Sequence, residues 1–228
     1  ADLSAATGQP VEIALRYIDG NNSASASFEI DNYKITETDP SGSGGGGSGG
    51  GGGTSNFSIM YDFENCSENF ATPSEFTEVF APGSKTDRGW GCRDEGVGDS
   101  RGVRASAFGG ATGTDDAWLI TAGAQDLSGL STVTFEVDIK SSFDGLGTLE
   151  LLWSTDYSGG ADPTLSTWTE ITSFEDDLPA KGTDTFKKIT ADLSSIAGQT
   201  VFIALRYKDG TNNDSASYEI DNYSITGN

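Results

Sequence analysis

Apolar residues in this chain recur at every second position in short runs. Val133, Phe135, Val137 and Ile139 alternate with Thr134, Glu136 and Asp138, and Val201, Ile203, Leu205 and Tyr207 repeat the logic. Period-two alternation marks a strand with one dry and one wet face. The pattern predicts strands at Phe57–Phe63, Val103–Phe108, Ala117–Thr121, Thr132–Lys140 and Thr148–Ser154. It predicts four more at Thr167–Thr172, Thr185–Ala191, Thr200–Tyr207 and Ser217–Thr226. Turn residues separate them, as at Asp144-Gly145, Ser158-Gly159-Gly160 and Asp209-Gly210. No segment sustains a 3.6-residue apolar period, although Asp192 to Gly198 suits one capped helical turn. Many short strands with no helix between them predict an all-β, two-sheet antiparallel β-sandwich of jelly-roll type.

The same alternation appears where no complete domain surrounds it. Residues 1–38 align with residues 191–228 at a constant offset of 190, and 25 of the 38 positions are identical. Val11, Ile13, Leu15 and Tyr17 mark one strand of the first copy, and Phe28 and Ile30 mark another. Two strands alone are marginal in water. This copy is therefore expected to bury its apolar face against a preceding repeat, or to donate strands to another copy of the chain. Residues 39–55 read as a linker, since ten of the thirteen residues from Ser41 to Gly53 are glycine. Residues 56–228 read as one complete sandwich, large enough to bury about 70% of its unfolded surface.

Charge narrows the function. With 35 acidic residues, 13 basic residues and no histidine, the 228-residue chain carries a formal charge of −22. That field repels nucleic-acid phosphate and anionic lipid, so neither is an expected partner. Without histidine there is no Ser-His-Asp or Cys-His triad. The sequence offers no G-x-S-x-G elbow, no P-loop and no focused carboxylate pair, so no enzyme is expected. No apolar run is long enough for a membrane helix.

Cys66 and Cys92 lack metal-type spacing and are either two reduced thiols or one disulfide. Their polar, glycine-rich surroundings favour the disulfide, which would imply an oxidising, extracellular setting. The four tryptophans are candidates for a sugar-stacking platform, but Trp118, Trp153 and Trp168 are flanked by apolar residues and read better as packing residues, and Trp90 as cover for the cysteines. Tyr157, in a glycine-containing loop, is the expected exposed aromatic and candidate ligand contact. Asp94, Glu95 and Asp99 read as a polar surface turn.

Several motifs together carry a family resemblance. They are Tyr61-Asp-Phe-Glu-Asn-Cys66, Gly89-Trp-Gly-Cys92, Asp115-Asp-Ala-Trp-Leu-Ile120, Trp153-Ser-Thr-Asp-Tyr-Ser-Gly-Gly160 and Glu219-Ile-Asp-Asn222. In order and spacing, residues 56–228 resemble the bacterial choice-of-anchor J domains, similar in plan to MAM domains and jelly-roll carbohydrate-binding modules. The resemblance implies a secreted or cell-surface protein of a Gram-negative type bacterium and no single activity. It also implies a structural Ca²⁺ between the first and last strands, for which Asp62, Glu64 and Asp221 are the candidate oxygen ligands. The alternative for these three is solvated acids at a sheet edge. The expected function is a non-enzymatic repeating module of an adhesin or surface filament, with neighbouring copies as partners. The rival is an accessory module that binds polysaccharide.

Overall fold

The computed structural model describes residues 57–66, 68–110, 113–160, 162–209 and 215–228. The strand-donation segment at 1–38, with Val11, Ile13, Leu15, Tyr17, Phe28 and Ile30, and the linker at 39–55 lie outside the described residues.

The described residues form two antiparallel six-stranded sheets. In chain order the strands are β1 (Phe57–Tyr61), β2 (Phe76–Phe80), β3 (Gly89–Arg93), β4 (Gly102–Ser106), β5 (Asp115–Thr121) and β6 (Gln125–Asp126). Then come β7 (Val133–Ser142), β8 (Thr148–Ser154), β9 (Thr169–Glu170), the short helix α1 (Thr172–Asp176), β10 (Thr183–Asp192), β11 (Thr200–Asp209) and β12 (Ser217–Gly227). The first sheet runs β10-β7-β12-β4-β3, with β1 also on β12; the second runs β2-β5-β11-β8-β9, with β6 also on β11. This is the all-β jelly-roll sandwich that the alternating pattern predicts.

Each sheet is organised on one long strand. β12 pairs with β7 along one edge and with β4 and then β1 along the other. β11 does the same with β8 on one side and β5 and β6 on the other. Alternation puts Val133, Phe135, Val137 and Ile139 of β7 and Val201, Ile203, Leu205 and Tyr207 of β11 into the shared core, all fully buried. Tyr223 fills the centre, with its ring 4.9 Å from Phe135 and 5.1 Å from Phe76 in edge-on contacts. The Tyr207 hydroxyl accepts from the Ala107 amide at 3.2 Å and donates to the Ala216 carbonyl at 2.9 Å, so its polar end is satisfied inside the core.

Three expectations need correction, and a fourth is met. β2 and β3 were not among the predicted strands, because glycine and charge interrupt their alternation. β1 ends at Tyr61 rather than Phe63, since Phe63 has a left-handed backbone (φ 57°) that turns the chain inward. The strand expected over Thr167–Thr172 shrinks to Thr169–Glu170, and the chain enters α1 at Thr172 to bury Phe174. The capped turn after Asp192 forms as a single 3₁₀ turn, Ser194–Ile196, with the Ser194 amide on the Asp192 carboxylate at 2.8 Å.

Cys66 and Cys92 form a disulfide across a Cα separation of 6.0 Å, tying the segment after β1 to the edge strand β3. This bond fits an oxidising, extracellular setting. Among the described residues no helix is long and apolar enough to cross a membrane.

Candidate ligand groove

Strand register decides what the outer face of the first sheet presents. Gly89 of β3 faces Ser106 of β4, which lies opposite Ser217 of β12 through the Tyr218–Ala105 pairing. One step along, Gly91 faces Arg104, and Arg104 faces Glu219. A row of small residues therefore lies beside a charged row, and the edge strand has no side chain at two of its outward positions. The result is a groove of about 380 Å³. That is within the usual size range of a ligand site.

Its walls are aromatic. Phe70, Phe108 and Phe143 line the groove and are 64%, 64% and 63% exposed. Phe108 and Phe143 lie near parallel, with centroids 6.4 Å apart and planes 12° from each other. Two of the three sit on strained backbone: Phe70 has φ 71° and Phe143 φ 65°. A bulky residue in the left-handed region costs about 1–3 kcal/mol and persists only where its surroundings hold it.

The holding contacts are visible. The Phe70 amide donates to the Cys92 carbonyl and the Cys92 amide to the Ala71 carbonyl, each at 2.9 Å, so this segment adds to the edge of β3. Its approach requires Gly91, where a Cβ would stand 2.7 Å from the Phe70 Cα. The Phe143 carbonyl accepts from the Gly182 amide at 2.9 Å. Arg88 fixes the turn that carries Phe108, since its guanidinium donates to the Phe108 and Gly109 carbonyls at 3.2 Å each.

Charge in the groove is unusual for so acidic a chain. Arg88, Arg93 and Arg104 all line it. Arg104 pairs with Glu95 at 2.8 Å, and nearby Arg101 pairs with Asp94 at 2.5 Å, so the Asp94–Glu95 turn is held by arginines. The Arg93 guanidinium lies 3.4 Å from the centre of the Phe70 ring. Burial, and then the like charges of Arg104 and Arg88, lower its pKa against the opposing pull of Glu95. At the inner wall, Glu78 accepts the Trp90 amide at 2.6 Å, and burial pushes its carboxyl up to about 7. The Trp90 indole donates to the Ala117 carbonyl at 3.1 Å and bridges the two sheets behind the groove.

The site residues expected from sequence fall elsewhere. Tyr157 is not an exposed contact; it is 5% exposed. Its loop folds back over the outer face of the second sheet, where the ring packs 5.3 Å from Trp168 and 5.1 Å from Phe202. The Ser154 hydroxyl accepts the Tyr157 amide at 3.1 Å, and Asp156 accepts the Thr167 amide at 2.9 Å, which pins the loop. Trp118 and Trp168 belong to the same cluster, with the Arg206 guanidinium 4.5 Å from the Trp118 ring, and Trp153 packs against the main core.

For the calcium set, Asp62 and Glu64 lie past the end of β1 and do not share a strand face. Asp221 accepts the Val97 amide at 2.9 Å and the Ser100 hydroxyl at 3.0 Å, and Glu64 accepts the Arg101 amide at 3.2 Å. These two carboxylates thus hold the turn between β3 and β4. Among the described residues no group of three or more Asp, Glu or Cys is arranged to hold a metal ion. Sequence reasoning missed the phenylalanines because it weighed only Trp and Tyr as platforms. Their signal was position: Phe108 ends the expected strand Val103–Phe108 out of step with Val103, Ala105 and Ala107 and just before Gly109-Gly110, and Phe143 precedes Asp144-Gly145 past the end of the expected strand Thr132–Lys140.

The fold has solved relatives. The K1 cleaved adhesin domain of Lys-gingipain from Porphyromonas gingivalis is similar, with a TM-score of 0.51 and 21% identity over 75% of this chain and 99% of that one. The likeness shows a shared β-sandwich fold. Looser likenesses are the family 30 carbohydrate-binding module of a Clostridium thermocellum cellulosomal cellulase and TmCBM61 solved with β-1,4-galactotriose. The first has a TM-score of 0.47 and 10% identity over 74% of this chain and 96% of that one. The second has 0.43 and 9% over 68% and 90%. No family model matches the chain. No curated protein matches it either.

Proposed function

We propose that residues 57–228 form a non-catalytic binding module that holds a polysaccharide in the Phe70–Phe108–Phe143 groove. One observation carries this reading: exposed phenylalanines line a groove floored by small residues, two of them held there at a cost in backbone strain. Pyranose rings present flat C–H faces that stack on aromatic rings, and the serine row offers hydroxyl partners at the sugar edge. The Ser217 hydroxyl is buried and donates to Ser106 at 2.8 Å, which orients the partly exposed Ser106 hydroxyl on the groove floor. Secretion to the surface of a Gram-negative type bacterium, and kinship with choice-of-anchor J domains, are part of the proposal on the motif resemblance.

The test is a glycan array followed by titration with the tightest ligand. Phe108→Ala and Phe143→Ala are each expected to weaken binding at least about tenfold, in line with the worth of one aromatic contact. Unchanged affinity in both variants, with normal melting, refutes the reading.

A second reading, a repeating assembly module, rests on the duplication. The strands copied in residues 1–38 correspond to β11 and β12, the organising strand of each sheet. In the described domain those places are filled by its own β11 and β12, so donation by residues 1–38 requires a recipient whose places are open. Deleting residues 1–38 is the test. An oligomer that survives the deletion refutes donation.

A further inference from the structure

We infer that the groove takes a carboxylated glycan, a uronate-bearing chain, with Arg93 as the receptor for the sugar carboxylate. This rests on the polysaccharide reading and names its substrate class.

The chain carries −22 net charge and only six arginines. Three of them, Arg88, Arg93 and Arg104, line this one groove. Arg88 is spent on the carbonyls of Phe108 and Gly109, and Arg104 has Glu95 as counter-ion. Arg93 has no ion-pair partner among the described residues, although acids outnumber bases nearly threefold in the chain. It stands instead over the Phe70 ring, which leaves its charge in place and holds the guanidinium plane. Glu78 and Asp87 also line the groove, carbonyls hold Arg88 and Glu95 offsets Arg104, so among the described residues the charge left without a partner at ion-pair distance is that of Arg93. The opposite arrangement appears on the second sheet, where Arg206 lies over Trp118 but is neutralised by Asp116 at 2.5 Å and Glu150 at 3.3 Å. Among the described residues two arginines thus stack on aromatic rings, and the one in the groove lacks its carboxylate. A planar carboxylate matches the guanidinium fork through two parallel hydrogen bonds. The neighbouring phenylalanines suit the pyranose rings that carry it.

The experiment is calorimetric titration of the full chain in EDTA, at about 0.15 M salt so that surface charges are screened. EDTA removes calcium, which otherwise bridges polyuronates to acidic proteins. The probes are oligogalacturonate, its fully methyl-esterified counterpart, dextran sulfate, neutral β-1,4-galactan and poly-glutamate. Oligogalacturonate is expected to bind roughly tenfold tighter than its ester, the worth of one charge-assisted bidentate contact. Arg93→Met is expected to erase that preference, and Arg93→Lys to restore part of it, with melting curves confirming that both variants fold. Equal affinity for acid and ester overturns the carboxylate inference and leaves the groove reading standing. Binding of no glycan overturns both. Preference for dextran sulfate overturns the choice of uronate. Binding of poly-glutamate as tight as that of oligogalacturonate, and indifferent to Phe143→Ala, points to an acidic peptide and overturns the proposal.

Discussion

Glu78 makes the domain lose stability as pH rises from about 4.5 to about 7. Its side chain lies at the open edge of the sandwich, with the Phe80 ring and Trp90 beside it in the groove wall, and its one fixed hydrogen bond comes from the Trp90 amide. Burial raises its pKa from an ordinary 4.5 to about 7, and the Trp90 bond offsets only part of that. Between those two values the folded chain holds a proton that the unfolded chain has released. Folding stability therefore falls as pH rises through this window, with the Glu78 contribution intact below the ordinary value and lost above about 7. At about 1.4 kcal/mol per pH unit the full swing is about 3 kcal/mol, a ceiling because the side chain is only half-buried. Asp115, Glu219 and Asp221 are also raised by burial and act in the same direction. Asp126, Asp156 and Asp192 are lowered by hydrogen bonds from Ser128, Ser154 and Ser194. Their stabilisation is lost only as pH falls through their lowered values, outside the Glu78 window. Glu78→Gln keeps the acceptor for Trp90 and removes the titration. Chemical and thermal melts of both proteins across the window are the assay. Near pH 4.5 the two are expected to match to within about 1 kcal/mol, whereas at about pH 8 the variant is more stable by up to about 3 kcal/mol, or roughly 5–10 °C in Tm. Equal stability at the alkaline end, or a less stable variant, refutes the reasoning.

Three further outcomes are expected. Cys66→Ser with Cys92→Ser opens a loop with a sequence separation of 26 and is expected to cost about 3.5 kcal/mol in a denaturant melt, as does reduction of the native protein. Lys85→Met strands the Asp115 carboxylate, now paired with Lys85 at 2.5 Å in the interior, and is expected to cost about 3–5 kcal/mol, more at neutral than at acid pH. Gly91→Ala pushes the Phe70 backbone off the β3 edge; glycan affinity is expected to drop severalfold while Tm falls by only a few degrees, read by parallel titration and melting.

The fold was legible where burial imposes a period. β7 and β11 each send one alternating set into the core, so their positions follow from the residues alone; β12 keeps the period only on either side of a bulge at Asn222, where its inward set switches from Tyr218 and Ile220 to Tyr223 and Ile225. β2 and β3 lie at sheet edges beside the groove. There the outward positions of β3 are Gly89, Gly91 and Arg93; neighbouring groups come too close to the two glycines for a side chain, and these residues erase the strand signal. The groove was hidden for the same reason, since it is made by cross-strand neighbours far apart in the chain, such as Gly91 and Arg104. Tyr157 misled because a glycine-containing loop reads as solvent-exposed, whereas this one covers a second apolar cluster on the outer face of the sheet. The disulfide was half legible: two cysteines in polar loops favour it, and only the pairing of the segment after β1 with β3 brings them together. Asp62 and Glu64 were paired on a strand that ends before them.

The central claim is that sugar binds across the Phe70–Phe108–Phe143 groove. Residue-by-residue NMR titration with the best glycan ligand tests it most directly. The account predicts that shifts concentrate on the Phe70, Phe108 and Phe143 rings, the Arg93 side chain and the Ser106 and Ser217 amides, with Trp168 and Tyr157 silent. Shifts centred on the Trp118–Trp168 cluster, with the three phenylalanine rings unmoved, would contradict it.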